Sequence, residues 1–383
     1  MRFQPAIHGA AVALIGFTGA FAIVLAGLRS VGATDAQAAS GLLALTVLQG
    51  VLAIGLSLRY RMPLLTAWST PGAALLVAAG TQSGGYPAVV GAFILAGALS
   101  VLAGLWPLVT KAIAAIPGPL ASGLLAGVLL QVCIAPAQAA VDVPAIALPM
   151  IAVWLAATLY SPRWAVPAAL AVVVIGVAID PVSGGAHPGN APQLDWVTPA
   201  FDIGTLIGLG IPLFVVTMVS QNVTGFAVLS ARGYQAPLRP VLVSTGAATA
   251  VAAPFGTHGL NLAAITADMV AGPEADPDPA RRWIASVSAG ATYVALGLAA
   301  GLATTLLGAS PPVLIEAVAG LALLATLTGA LKTATENDEQ RDAAIITFLV
   351  TASGISVAGV SAPFWGLVAG LLFLWLRHRF PAS

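Results

Sequence analysis

Long apolar runs, separated by short polar or Gly- and Pro-containing breaks, follow one another along the whole chain of 383 residues. The runs at 91–105, 146–159 and 165–179 contain no ionisable side chain. A helix of about 20 apolar residues is long enough to cross the roughly 30 Å hydrocarbon core of a bilayer. The pattern therefore predicts an all-α polytopic membrane protein, most of whose surface faces lipid.

Fourteen candidate spans are bounded by charge, Gly or Pro. They begin near residues 9, 40, 66, 87, 113, 145, 165, 203, 238, 261, 280, 313, 342 and 362. The third and tenth are short and follow Pro and Gly, so we expect these two spans to be broken. An even number of spans places both termini on the same side of the membrane.

The basic residues support this count and orient the chain. Lys and Arg in short loops are retained in the cytoplasm. With cytoplasmic termini, thirteen of the 14 basic residues lie inside, and Arg29 alone lies outside. A miscounted span in the middle of the chain would swap the sides of every later loop and remove this bias.

Composition narrows the function classes. Charged residues make up 7% of the chain, against about 25% in soluble domains, and the net charge is zero. We therefore expect no separate soluble domain and no nucleic-acid partner. The single cysteine, Cys133, excludes an internal disulfide. A membrane enzyme is the first rival, but no H-E-x-x-H, G-x-S-x-G or His/Cys cluster occurs, so we expect no enzyme, metal or cofactor.

Weak internal similarity divides the chain into two halves. A shift of 191 residues superposes Pro63 on Pro254, each beside a broken span. The predicted halves are residues 1–185 and 203–383, joined by a periplasmic linker at 186–202. Because each half has seven spans, the two must lie in opposite orientations in the membrane, as inverted repeats.

Paired broken segments in equivalent positions of two halves are the best sequence indication of a transporter's binding site. We expect both segments to be extended, with Thr70 and Asn261 as the N-caps of the half-helices that follow and Pro71 at a first helical position. Two half-helix N-termini would then bind an anion without Arg or Lys. The alternative is that Pro and Gly merely kink two packed helices.

Polar side chains inside other apolar segments suggest further contacts. The eighth span carries Ser220, Gln221 and Asn222 together, which either face a substrate or join helices. His258 lies in the broken tenth segment and is the predicted proton-coupling residue, because an intramembrane ionisable group is a functional hypothesis by default. A neutral packing histidine is the alternative, and Asp268 and Glu316 are the next candidates for the proton.

Three segments, at 57–76, 210–229 and 253–282, closely resemble the benzoate/proton symporter family of bacterial membrane proteins. The similarity runs in order over nearly the whole chain. It implies an inner-membrane importer of benzoate or a related aromatic carboxylate, driven by protons. The pattern is more distantly similar to nucleobase and ascorbate transporters, which implies fourteen spans, short strands in spans 3 and 10, and an elevator mechanism. The implied core comprises spans 1–4 and 8–11, and the implied gate comprises spans 5–7 and 12–14.

The nucleobase transporters hold substrate and proton with acidic residues in spans 8 and 10, whereas this chain has amides there. That difference suits an anionic substrate, which a fixed carboxylate would repel. The predicted ring contacts are Trp68, Phe214 and Phe255. The complete set of predicted substrate-binding residues is Trp68, Ser69, Thr70, Phe214, Ser220, Gln221, Asn222, Phe255, Thr257 and Asn261.

The predicted partners are a benzoate-like carboxylate, protons and membrane lipid, with a homodimer as one option for the assembly. Two alternatives stay open at this point. One is an uncoupled channel, and the other is a carrier for a different small organic anion or a nucleobase-like solute.

Overall fold

The computed structural model describes residues 4–106, 116–179, 193–299, 311–357 and 360–380. Helices dominate these residues, as the apolar pattern predicted. The helices of the first half are α1 (Gln4–Ser30), α2 (Asp35–Tyr60), α3 (Thr70–Ala79), α4 (Gly85–Leu105), α5 (Gly118–Asp142), α6 (Pro144–Tyr160) and α7 (Pro162–Ile179). Those of the second half are α8 (Ile203–Ala231), α9 (Leu238–Ala252), α10 (Ile265–Ala271), α11 (Trp283–Leu298), α12 (Pro312–Glu336), α13 (Arg341–Ala352) and α14 (Ala362–Arg379).

Seven helices of the described part are long and apolar enough to cross a membrane. They are α1, α2, α4, α5, α8, α9 with its short 3₁₀ extension, and α12. Shorter apolar helices include α3, α6 and most of α7. Thirteen of the fourteen predicted span starts lie within about five residues of the start of a helix or strand. The remaining one, near residue 113, lies outside the described residues. The chain has a mostly helical membrane-transporter fold, and the count of fourteen crossings stays a prediction.

Two short strands meet in the interior where the sequence predicted broken spans. Strand β1 (Thr66–Trp68) pairs antiparallel with β2 (Leu260–Leu262), and Ala67 lies opposite Asn261. Helix α3 follows β1, and α10 follows β2. The sequence predicted extended backbone over residues 66–70 and 256–261. Both segments overlap a strand, although each strand is shorter than predicted and β2 begins only at Leu260.

Both predicted helix caps are wrong. Ser69, one residue before Thr70, is the N-cap of α3, and its hydroxyl accepts a hydrogen bond from the Gly72 amide at 3.0 Å. Asn261 lies within β2 and caps nothing, because strand pairing holds its backbone in an extended conformation. Helix α10 begins after Ala264, which provides no side-chain cap.

Two helix crossings bring glycines together in equivalent parts of the halves. Helix α2 packs against α11, and a Cβ atom at Gly50 would lie 2.5 Å from the Gly290 carbonyl oxygen. Helix α4 packs against α9, and a Cβ at Gly97 would lie 2.7 Å from the Gly246 carbonyl oxygen. Small residues permit such close backbone approach between membrane helices. The two crossings are what inverted repeats would produce, and the repeat itself stays a prediction.

Another set of helices packs together, built around α5. Helix α5 packs against α12 and α13, α13 against α14, and α6 against α7. A second strand pair, β3 (Ser356–Val357) with β4 (Val360–Ser361), precedes α14 and was not predicted. The division into a core and a gate stays a prediction.

The predicted linker, 186–202, lies partly outside the described residues, because the description resumes at residue 193. Its described part lies against α4 and the 3₁₀ turn that follows α9. The Val197 amide donates to the Pro254 carbonyl and the Ala200 amide to the Pro87 carbonyl, each at 2.9 Å. This segment is therefore packed against the helices.

Candidate functional site

A cavity of about 350 Å³ lies beside the strand pair. One wall comes from α1, α2, β1, the start of α3, α8, the β2–α10 segment and α11, and the other from α7 and α12. Its polar lining residues are Gln49, Thr70, Gln221, Thr266, Tyr293 and Thr326, and its larger apolar ones include Ile15, Trp68, Val166, Met269 and Leu323. None of the lining residues that the structure describes carries a formal charge. The size falls in the range of about 300 to 1,000 Å³ that small-molecule sites occupy.

Side chains complete the hydrogen bonding of β1. Gln49, in the middle of α2, accepts a hydrogen bond from the Trp68 amide through Oε1 at 2.7 Å. The Thr66 hydroxyl donates to the Gln49 backbone carbonyl at 2.5 Å. A strand edge inside a membrane protein must find such partners, because lipid offers none.

Strand β2 is supported in a similar way from the second half. The Leu260 amide donates to the Thr249 hydroxyl of α9, and the Leu262 amide donates to Asn222 Oδ1 of α8, each at 2.9 Å. Asn222 is thus a structural partner of the strand in this arrangement. Its position agrees with the alternative that the polar cluster of span 8 joins elements together.

Ser69 connects three elements at the start of α3. Its amide donates to the Gly259 carbonyl at 2.9 Å, which extends the strand pairing. Its hydroxyl accepts from the Gly72 amide and also from the Thr217 hydroxyl of α8, the latter at 2.7 Å. Its carbonyl lies 3.0 Å from Nε2 of His258. A single residue therefore links the strand, the half-helix and the predicted proton-coupling histidine.

His258 is fully buried and does not line the main cavity. It borders a separate space of about 10 Å³, together with Phe214 and Thr217 of α8. The ring of Phe93 packs against it edge-on at 6.2 Å between centroids. Because the Ser69 carbonyl can only accept, Nε2 carries the hydrogen, and Nδ1 is left without a described partner.

A π-helical segment, Met218–Val223, separates the roles of neighbouring residues in α8. Gln221 lines the main cavity, whereas the next side chain, Asn222, binds β2. The hydroxyl of Ser220 donates back to the Val216 carbonyl of its own helix. Single π-helical turns inside α-helices frequently occur at functional sites.

The sequence model of one protein family, described as benzoate membrane transport protein, matches residues 3–376. The chain belongs to this family. It is 41% identical over 369 residues to "Inner membrane protein YdcO" of Escherichia coli K12, covering 95% of this chain and 93% of the relative. It is also 32% identical over 381 residues to "Benzoate membrane transport protein" of Acinetobacter baylyi, covering 98% and 96%.

Solved structures place this benzoate-transport family member in a known fold. The transmembrane domain of a cyanobacterium bicarbonate transporter, BicA, superposes with a TM-score of 0.58 at 17% identity, covering 99% of both chains. Murine Slc26a9, an anion transporter in the inward-facing state, superposes with a TM-score of 0.61 at 14% identity, covering 98% of this chain and 68% of that one. These similarities establish the fold alone.

Family membership makes this chain a multi-pass transporter of the bacterial inner membrane rather than an enzyme. It also supports a small anion as the substrate. The resemblance stated from the sequence is therefore confirmed at the level of the family.

Only some of the predicted substrate-binding residues line the main cavity. Trp68, Thr70 and Gln221 lie together in the wall of the main cavity. Phe214 lines the small space beside His258 instead. Phe255 packs edge-on against Trp196 at 5.3 Å between centroids, away from the main cavity. Ser69 and Asn222 support the strands, and Ser220 bonds within its own helix.

Two of the predicted residues carry buried polar atoms without described partners. These are the hydroxyl of Thr257 and both polar atoms of the Asn261 side chain. Neither residue lines the main cavity. Their predicted contact with substrate stays a prediction.

Sequence reasoning missed Gln49 and Tyr293. Gln49 is a buried amide in an otherwise apolar stretch of α2, so the argument applied to span 8 would have identified it as well. Tyr293 of α11 is buried and lines the cavity, but a lone tyrosine in a span has no distinguishing pattern.

The two alternative proton carriers differ in their surroundings. Asp268 of α10 forms a bidentate ion pair with Arg232, with distances of 2.7 and 3.0 Å, so its carboxylate is already paired. Glu316 lies half-buried in the second turn of α12 and does not line the main cavity.

Proposed function

We propose that this transporter imports benzoate or a related aromatic monocarboxylate together with protons. The observation that carries the proposal is the largely apolar cavity beside the strand pair, whose described lining is uncharged, in a chain of the benzoate transport family. An aromatic ring requires apolar walls, and a carboxylate requires hydrogen-bond donors. Trp68 and Leu323 offer the former, and Gln49, Gln221 and Tyr293 offer the latter.

The described lining residues carry no formal charge, which has a consequence for selectivity. A monoanion without an arginine partner is stabilised only by amide, hydroxyl and backbone dipoles, so a dianion would leave a second charge poorly compensated. The start of α3 adds a favourable dipole, because its first residues, Thr70 and Pro71, border the cavity. We therefore expect the transporter to bind monocarboxylates more tightly than dicarboxylates.

His258 is the proposed proton carrier. Its Nδ1 is an acceptor buried without a described partner, and Nε2 contacts the carbonyl of Ser69, the residue between the cavity-lining Trp68 and Thr70. A protonated imidazole there would be compensated by a substrate anion across the strand. Proton and anion would then raise each other's affinity, as reciprocal linkage requires.

Alternating access is proposed to follow an elevator mechanism with both termini in the cytoplasm. In that orientation Pro162 and Val166 of α7, together with Met269 of α10, lie in the cytoplasmic half of the cavity wall. The cavity then opens inward. On the outer side, Ser361 before α14 donates a hydrogen bond to the Gly208 carbonyl of α8, which supports a closed outer side.

The test is uptake of radiolabelled benzoate into proteoliposomes. An inwardly directed proton gradient should drive accumulation by the wild type, and the initial rate should saturate with concentration. His258→Gln should abolish accumulation but retain exchange of internal for external benzoate. His378→Gln, at the exposed cytoplasmic end of α14, is the matched control and should accumulate benzoate normally.

Three results would contradict parts of the proposal. Normal accumulation by His258→Gln would move the proton to another residue. Flux that rises linearly with benzoate concentration would favour a channel. Uptake of bicarbonate without uptake of benzoate would favour the small inorganic anion named for the bicarbonate transporter of similar fold.

A further inference from the structure

Gln49 is held in one orientation by the strand beside it. The residue is 1% exposed, and Oε1 lies 2.7 Å from the Trp68 amide nitrogen. A backbone N–H can only donate, so the amide atom that faces it must be the oxygen. The strand therefore decides which end of the side-chain amide points elsewhere.

The other end of the amide carries Nε2, with two N–H donors. No described residue accepts a hydrogen bond from Nε2, and Gln49 forms part of the cavity wall. Beside the cavity, these donors can bind an acceptor that a ligand provides. Gln49 thus offers the cavity donors and no free acceptor on that side.

Gln221, in the wall of the same cavity, differs in this respect. Its side-chain amide has no described hydrogen-bond partner, so it can turn either its oxygen or its nitrogen toward a ligand. Gln49 cannot turn without breaking the bond to Trp68. Of the two amides, only that of Gln49 presents donors alone, so only Gln49 can favour a ligand group that accepts a hydrogen bond over one that donates it.

We propose that Nε2 of Gln49 is the donor that recognises the carboxylate of the substrate. This inference rests on the proposed function and assigns the anion selectivity of the same cavity to one residue. The Trp68 amide holds Gln49 in place, and Trp68 itself also lines the cavity. One hydrogen bond therefore sets the carboxylate donor and the ring contact in a fixed relation.

Gln49→Glu is the informative substitution because it keeps the shape and the acceptor for Trp68 but replaces the donors by an oxygen. Binding of benzoate and of benzamide, its neutral isostere, would be measured by isothermal titration of purified protein at pH 8. Gln131→Glu makes the same change on α5, outside the cavity, where the amide donates to the Ala352 carbonyl at 2.9 Å.

We expect Gln49→Glu to weaken benzoate binding by at least about ten-fold, the effect of losing one hydrogen bond to a charged group. Benzamide binding should be retained or improved, because benzamide can donate to the new carboxylate. Gln131→Glu should bind both compounds as the wild type does. If Gln49→Glu fails to give folded protein, Gln49→Met removes the donors, together with the acceptor of the Trp68 amide, without adding charge, and should lose at least about ten-fold in benzoate affinity.

The results distinguish the role of Gln49 from the proposed function, benzoate transport, on which that role rests. A wild type that binds no benzoate would refute the proposed function. A wild type that binds benzoate, with unchanged affinity in Gln49→Glu or Gln49→Met, would overturn the assignment of Gln49 alone. Equal weakening of benzoate and benzamide in Gln49→Glu would also overturn it, since that result indicates a loss of shape.

Discussion

Replacing Ser69 by alanine removes one hydroxyl that two helices share. That hydroxyl accepts a hydrogen bond from the Gly72 amide at 3.0 Å, which caps α3, and another from the Thr217 hydroxyl of α8 at 2.7 Å. The backbone bonds of residue 69 to Gly259 and His258 do not involve the side chain. The substitution therefore tests the cap and the connection between helices without removing the strand.

The expected loss can be worked from these two bonds. Losing a serine N-cap costs about 0.5 to 2 kcal/mol. Leaving the Thr217 hydroxyl unpaired in a buried site costs about 1 to 3 kcal/mol. Thr217 can instead donate to the carbonyl one turn earlier in its own helix, as threonines in helices do. We therefore expect a total near the lower half of the combined range, about 2 to 3 kcal/mol.

The assay is the apparent Tm of purified protein in detergent, with Thr70→Ala as the matched control. Thr70 also bears a hydroxyl, but it is the first residue of α3 and lines the main cavity. Ser69→Ala should lower the Tm by several degrees, whereas Thr70→Ala should leave it nearly unchanged and affect benzoate binding instead. A Tm loss in Thr70→Ala that equals or exceeds that of Ser69→Ala would show that the cap is misassigned.

Three further predictions follow from packing, orientation and titration. Gly50→Ala should destabilise the protein, because its Cβ would meet a facing carbonyl oxygen at 2.5 Å, whereas Gly55→Ala, with no described atom within 4 Å, should not; equal Tm values would contradict the crossing. In a cysteine-free background, Ser353→Cys should react with an impermeant thiol reagent added outside cells and Glu339→Cys should not; the reverse labelling would invert the topology. Hydrogen bonds from the start of α8 lower the pKa of the Asp202 carboxyl, so its stabilising effect should be present at neutral pH and lost as pH falls through that lowered pKa. Asp202→Asn should reduce the acid sensitivity of the Tm, and an unchanged pH profile would argue against that cap.

Hydropathy and charge were enough to predict where the helices lie, because every span must be apolar and must satisfy its own backbone hydrogen bonds in lipid. The two extended segments could also be predicted, since Pro63 and Pro254 precede short segments that cannot continue as helix, although their pairing with each other could not. These features depend on local composition. They need no knowledge of which distant segments meet.

The caps could not be chosen in the same way. Ser69 and Thr70 both carry hydroxyls, and Pro71 is acceptable at the first or second helical position, so sequence leaves the helix start ambiguous by one residue. The bond from the Ser69 amide to the Gly259 carbonyl decides it, and that partner is distant in sequence. Asn261 was misassigned for the same reason, since its pairing with Ala67 keeps it in the strand.

Gln49 is the site residue whose role the sequence could not show. Its significance comes from its bond to Trp68 and from its place in the cavity wall, and both require the fold. The π-helical turn that directs Gln221 to the cavity and Asn222 to β2 likewise has no sequence pattern of its own. Tertiary contacts between separate helices and strands, rather than residue types, determine which of several polar side chains line the cavity.

The sequence distance between the two central strands has a consequence for biosynthesis. Ser69 and His258 are separated by 189 residues, so at roughly 5 to 20 residues per second the first strand waits about ten to forty seconds for its partner. During that time its backbone must lie inside a nascent membrane protein that is only half made. Gln49 is only 19 residues from Trp68 and is synthesised before it, so the first half supplies its own acceptor for that amide. Gln49, which we propose binds the substrate, would thus first accept the Trp68 amide of β1 before β2 has been synthesised.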